Sequence, residues 1–202
     1  QCSISSNLAT SIGSGFSTYG GGLAAQEARC LIRSCLIAGN ALTVNTDAGH
    51  PAGHYGTGIF ANYGVVMELD NCTIVTNVNY DTMATPGWYG EGVRADAGAV
   101  LSLTNCIVWN NRDDIVGALS LAYCDISDGD SSGVNGCISA DPQFMPDGTY
   151  QLRTGSPCWN TGLNQPWMLT ACDLLGRPRV ASGFADMGAY ETPAFGTLLL
   201  VR

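Results

Sequence analysis

The sequence predicts an all-β chain wound as a parallel solenoid, and three observations predict it. First, a Cys, a branched apolar residue two places on and an Asn five places on recur at one spacing. They stand as Cys2/Ile4/Asn7, Cys35/Ile37/Asn40, Cys72/Ile74/Asn77 and Cys106/Val108/Asn111, with the cysteines 33, 37 and 34 residues apart. Second, a Tyr-Gly-x-Gly marker begins at Tyr19, Tyr55 and Tyr89, separated by 36 and 34 residues, and keeps the same phase. Third, apolar residues alternate in short runs, and no long amphipathic helical pattern appears. A constant period with short strands and glycine corners describes stacked coils.

Each coil can be justified in order. Half a coil opens the chain at Gln1–Asn7. The second coil places Cys30, Ile32, Cys35 and Ile37 in its apolar slots, and the third places Met67, Leu69, Cys72 and Ile74. The fourth repeats with Leu101, Leu103, Cys106 and Val108, and a shorter fifth with Leu119, Leu121, Cys124 and Ile126. Positions two apart share one strand face. The extra residue between Leu69 and Cys72 marks a bend between two strands. Residues between the slots read as polar or small, so one face meets a core and the other meets water.

Equivalent residues of successive coils then stack at the inter-strand spacing of about 4.8 Å. Cys2, Cys35, Cys72, Cys106 and Cys124 form a core ladder of small reduced thiols. Asn7, Asn40, Asn77 and Asn111 form a corner ladder, in which each amide bonds the next and tolerates a turn backbone. The glycine after each Tyr permits a left-handed corner.

Composition narrows function. The chain has 202 residues, no lysine, only 12% charged residues and a formal net charge of −9. The first half carries −4 and the second −5, so no basic patch for nucleic acid or anionic membrane is present. No run approaches the roughly 18 apolar residues of a membrane span. Nine cysteines in a charge-poor, Ser/Thr/Asn/Gly-rich chain suggest a secreted or cell-surface protein.

After Cys124 the period ends. The later motifs are D-P-x-F at Asp141 to Phe144, L-x-x-G-S-P at Leu152 to Pro157, D-x-x-G-x-P-R at Asp173 to Arg179 and D-x-G-A-Y-E at Asp186 to Glu191. With the coils, they resemble the right-handed parallel β-helix repeat proteins of bacterial surfaces and secretions. The resemblance spans nearly the whole chain and is specific for fold rather than function. It implies a right-handed parallel β-helix of about five coils over 1–134, an irregular C-terminal cap over 135–191 that seals the last coil, and an apolar tail strand over 192–202. Asp173, Arg177, Arg179 and Asp186 read as a buried polar lattice holding the cap. The chain departs from the family at Cys158, Trp159 and Asn160. Cys158 and Cys172 flank a 13-residue loop in this turn-rich region, and a disulfide between them would staple it.

Insertions at 8–18, 41–54 and 78–88 leave the coils on one side, the usual binding face of a repeat protein. They carry Asp47, His50, His54, Tyr80, Asp81 and Trp88, with Tyr55 close by. Aromatics beside carboxylates suit sugar rings. A glycosidase needs two carboxylates about 5–10 Å apart, and Asp47 and Asp81 are the pair to consider. For a lyase, Arg94 beside Asp96 is the candidate base. His50 and His54 bracket Pro51 and Gly53, which makes a loop rather than a helical zinc pair. The stretch 125–133 lacks the twelfth-position glutamate of a calcium loop. No metal or cofactor is therefore expected, and the sequon at Asn71 falls in a strand.

The two ends suggest a partner. An open first coil (Gln1, Cys2, Ile4) exposes strand edges, and Leu198, Leu199, Leu200 and Val201 form a spare β-prone run. Edge and run together make a head-to-tail contact that produces filaments. The preferred expectation is a non-catalytic, self-assembling extracellular structural protein. The alternative is a carbohydrate-binding or polysaccharide-cleaving domain.

Overall fold

The structure, a computed structural model, describes residues 1–12, 18–45, 54–80, 91–96, 98–117, 119–129 and 131–193. Eighteen strands follow in chain order among these residues. The first turn carries β1 (Ser3–Ser5), β2 (Leu8–Ile12), β3 (Thr18–Tyr19) and β4 (Leu23–Gln26). The second carries β5 (Arg29–Arg33), β6 (Leu36–Ala38), β7 (Ala41–Asn45), β8 (His54–Tyr55) and β9 (Ile59–Asn62). Then come β10 (Val66–Asp70), β11 (Thr73–Val75), β12 (Val78–Asn79) and β13 (Val93–Ala95). β14 (Val100–Thr104), β15 (Ile107–Trp109) and β16 (Ile115–Val116) follow, and β17 (Leu119–Ala122) and β18 (Asp125–Ile126) end the series.

Every strand pair is parallel. The sheets run β5-β10-β14-β17, β1-β6-β11-β15-β18, β2-β7-β12, β3-β8 and β4-β9-β13-β16. The fold is a parallel β-solenoid, as the period predicts. The register matches the sequence slots: Cys30, Met67, Leu101 and Leu119 align, as do Ile4, Ile37, Ile74, Val108 and Ile126. Met67, Leu69, Ile74, Leu103 and Val108 are fully buried.

The bends have a common local cause. Ser34, Asn71, Asn105 and Tyr123, each just before a ladder cysteine, adopt φ of 49°, 50°, 54° and 52°. One left-handed residue turns the chain from the β10-type sheet into the β11-type sheet. A second turn uses Ser6, Gly39, Thr76 and Asn110, at φ of 57°, 62°, 54° and 58°. The corner asparagines themselves are not left-handed; the residue before each one is. Their role is the amide column. Asn40 donates from N and Nδ2 to Asn77 Oδ1 at 3.1 and 2.9 Å, and Asn77 does the same to Asn111 Oδ1 at 3.0 and 3.0 Å. Each Nδ2 sends its other hydrogen to a core-strand carbonyl, Ile37 O for Asn77 and Ile74 O for Asn111. The column ends on a carboxylate: Asp114 Oδ1 accepts from N and Nδ2 of Asn111 at 3.1 and 2.9 Å. The last glycine of each Tyr-Gly-x-Gly makes room for it. A Cβ on Gly58 would lie 2.5 Å from Gly92 O and 3.0 Å from Asn77 Nδ2.

The cysteine ladder gains a sixth rung. Cys2, Cys35, Cys72, Cys106 and Cys124 stack as expected, and Cys137 continues the file against Cys124. Ile138 pairs in parallel with Asp125, so the solenoid runs a few residues past the boundary expected at 134. The turn at 131–137 closes this end, with Gly133 N bonded to Cys137 O and Tyr123 N to Asn135 O.

Two expectations are corrected. The C-terminal module does not seal the end of the solenoid; it lies along the flank. Ala189 and Tyr190 pack on Leu36, Ala38 and Val75, and Met187, Leu152 and Cys158 pack on Ile107. Gly188 N donates to Asn105 O, Ala189 N to Thr73 Oγ1 and Asn71 Nδ2 to Asp186 O. Strands β6, β11 and β15 are therefore covered on both faces, not wet on one. Their runs Leu36–Ala38, Thr73–Val75 and Ile107–Trp109 already carry continuous apolar character, the mark of a two-sided strand. Second, Cys158 and Cys172 are free thiols rather than a disulfide. Cys158 is fully buried and donates to Asp125 Oδ2 at 3.0 Å, while Cys172 is only half-buried.

The expected polar lattice is present and larger than the motifs suggest. Arg179 is completely buried and its Nη2 reaches Glu191 Oε1 at 2.9 Å, Gly188 O at 3.0 Å and Asp186 O at 3.2 Å. Asp173 accepts backbone N–H groups of Leu175, Arg177 and Glu191, and Asp186 those of Asn160 and Thr192. Arg177 Nη1 donates to Glu191 O at 2.7 Å. Burial pushes Glu191 up to about 9 against the pull of Arg179, and raises Asp186.

Candidate functional site

The loop-bearing flank is the side where sequence placed a binding face, and its base is built by two sheets. β3 and β8 align Tyr19 with Tyr55, and β4, β9 and β13 align Ala24, Phe60 and Arg94. Alternation turns Ile59 and Val93 inward, so Phe60 and Arg94 point outward. The result is an aromatic column. Tyr19 and Tyr55 stack at 5.6 Å between centroids, and Tyr19 and Phe60 at 4.7 Å. The Arg94 guanidinium lies 4.4 Å over the Tyr55 ring, a cation–π contact. Asp96 Oδ2 accepts from Arg94 Nε at 3.0 Å. Arg94 Nη1 is buried, with no hydrogen-bond partner among the described residues. Burial raises the Tyr55 phenol, partly countered by Arg94.

The sequence-predicted residues divide. Asp47, His50, Asp81 and Trp88 lie outside the described residues, as do Leu198, Leu199, Leu200 and Val201. His54 is placed by its backbone in β8, one residue before Tyr55. Tyr80 is 64% exposed and follows β12, its N–H bonded to Leu42 O. Of the terminal residues, Cys2 joins the thiol file, Ile4 packs on the core, and Gln1 donates to Cys172 O on the flank module. The asparagine of the sequon, Asn71, is fully buried and bonded to the module.

Sequence reading missed Tyr19 and Phe60, although the Tyr-Gly-x-Gly phase already aligns Tyr19 with Tyr55. It also missed Glu91, the third residue of the last such marker. Glu91 is fully buried and sits 3.5 Å from Arg112 Nη1; burial pushes it up to about 7. The Asn79 backbone and Arg112 partly counter that rise, and Asp113 adds to it. Among the described residues no group of three His, Cys, Asp or Glu side chains is arranged to hold a metal ion. No described helix is long and apolar enough to cross a membrane.

No protein-family profile, curated protein or solved structure matches this chain.

Proposed function

We propose that the chain is a non-catalytic structural module of a secreted or cell-surface protein, which associates with copies of itself through the strand edges of its first turn. The observation that carries this reading is the absence of charge there. Residues 1–26 contain no Asp, Glu, Lys or Arg, in a chain of net charge −9. β1, β2 and β4 each pair on one side only among the described residues, and Leu8 is 64% exposed. Exposed edges in natural sheets are normally protected by charge, bulges or proline; at this end only β5, which also pairs on one side among the described residues, carries charge, at Arg29 and Arg33, and β1, β2 and β4 carry none. The opposite end is closed, so a copy contributes its tail, Leu198–Val201, as the added strand in a head-to-tail contact. The secreted reading rests on the charge-poor composition and the motif resemblance. The cysteine count does not support it, because six of the nine cysteines form the core file and all nine are free thiols.

Light scattering with negative-stain microscopy over a hundredfold concentration range tests this. Concentration-dependent oligomers or fibres are expected, abolished by Ser5→Lys with Leu8→Lys. A monomer at every concentration overturns the reading.

A second reading has its own observation. Tyr19, the exposed end of the Tyr19–Tyr55–Phe60 column that Arg94 backs, suits stacking against a sugar ring. Polysaccharide retention that is lost in Arg94→Ala, with or without turnover dependent on Asp47 and Asp81, would support it.

A further inference from the structure

Five arginines are matched to carboxylates: Arg29 with Glu68, Arg33 with Asp70, Arg94 with Asp96, Arg112 with Glu91 and Arg179 with Glu191. Arg153 and Arg177 make no ion pair among the described residues, and both line one cavity of about 290 Å³ on the flank module. Two stretches of backbone frame it. Met145 N donates to Gln151 O and Arg153 N to Gln143 O, which fixes the hairpin 143–153 around the Phe144–Leu152 bridge. On the other wall Asp173 Oδ1 accepts Arg177 N at 2.7 Å, and Arg177 Nη1 donates to Glu191 O at 2.7 Å. That last bond orients the guanidinium and leaves its other N–H groups without partners among the described residues. Glu191 also borders the cavity, but its carboxyl is engaged elsewhere: Oε1 meets Arg179 Nη2, and both oxygens accept Asp186 N–H. No other acid lines the space. In a chain of net charge −9, two unmatched cations therefore converge on one concave site.

We propose that this cavity binds a ring-sized organic carboxylate of the uronate class, its carboxylate held by Arg153 and Arg177. A guanidinium offers two parallel N–H groups that match the two oxygens of a carboxylate. The cavity has the volume of about ten waters in the liquid, more than a bare oxyanion fills, so the carboxylate carries a body with it. Leu152 and Pro193 supply apolar wall for that body and Thr154 a hydroxyl. The site goes beyond both readings of function, because it shares no residue with the first-turn edges or with the Tyr19–Tyr55–Phe60 column.

The test is titration of the isotope-labelled chain with sodium galacturonate, read by NMR at the side-chain Nε–H groups of Arg153 and Arg177. Saturable shifts at both are expected, and none with galactose, which lacks the carboxylate. Arg153 is exposed, and its side chain makes no hydrogen bond or ion pair among the described residues, so Arg153→Gln keeps the fold and should weaken binding by about tenfold or more. Absence of saturable shifts, equal shifts with galactose, or unchanged affinity in Arg153→Gln overturns the proposal. Inorganic sulfate binding as tightly as galacturonate also overturns it, since that result marks a bare-anion site. Polygalacturonate separates two sources of the same ligand chemistry: tighter binding per uronate unit than the monomer assigns an acidic polysaccharide, and equal binding assigns a free acid. Arg94→Ala and Ser5→Lys with Leu8→Lys leave these shifts in place, so failure of either functional reading is distinguishable from failure of this site.

Discussion

The solenoid and the flank module bury polar groups by opposite means. In the asparagine column of the solenoid each buried amide meets another asparagine one coil away. Asn77 accepts two hydrogen bonds at Oδ1 and donates two from Nδ2, so the amide is saturated without any charge. In the module each buried group is unique. A single arginine, Arg179, faces Glu191, Asp173 and Asp186, and its Nε and Nη1 have no hydrogen-bond partner among the described residues. Repetition lets neutral groups satisfy one another at fixed spacing, whereas a one-off segment must use charges, whose desolvation is large. The amides of the column carry no titratable proton, whereas the module holds Glu191 and Asp186, both raised by burial.

The largest expected effect is on the column. Asn77→Ala removes four side-chain hydrogen bonds and leaves Asn40 and Asn111 partners unmet, a loss of about 4 kcal/mol; chemical denaturation measures it. Next is Arg179→Ala, which strands a buried carboxyl cluster and lowers stability by about 3 kcal/mol. Hydrogen exchange should show that loss concentrated in 152–192, with β10 and β14 still protected. Loss of protection throughout the coils would erase the contrast between the regions.

The pH response follows in size. Glu191 rises from an ordinary 4.5 to about 9 and Glu91 to about 7 on folding, both chiefly by burial. The folded chain thus binds more protons than the unfolded one between these values, so stability falls as pH rises from about 5 to about 9. Thermal melts should show Tm declining over that window. A flat or rising profile would mean that ion pairing, not desolvation, governs the module. Cys72→Ala opens a small cavity and should cost about 1 kcal/mol. The smallest effect is expected of Glu191→Gln. If Glu191 is protonated at pH 7, the amide replaces it at under about 1 kcal/mol and flattens the upper part of the pH profile. A loss as large as that of Arg179→Ala would show a working ion pair instead.

Much of the fold was legible because the repeat reports its own register. Cys35, Cys72 and Cys106 announced the stacking, and Leu69 to Cys72 announced the bend that Asn71 makes. Cys137 was hidden because the turn at 131–137 interrupts the period just before it. The candidate site was only half legible. Tyr55 and Arg94 stood out, but the contact between them joins strands β8 and β13 of different coils, and no local pattern encodes it. The Cys158–Cys172 disulfide failed because loop length says nothing of where two thiols point, and Asp125 claims the first.

By itself the sequence determined the parallel winding, the two ladders and the direction of each apolar slot. These follow from period-two alternation and a repeat of fixed length, which are local and additive. Only the tertiary structure decided that the non-repeating third of the chain covers a flank rather than an end. That choice depends on matching the outward residues Leu36, Val75 and Ile107 to Tyr190, Ala189 and Met187, more than a hundred positions away for the first two, and on where Arg179 can find its carbonyls and carboxylates at once.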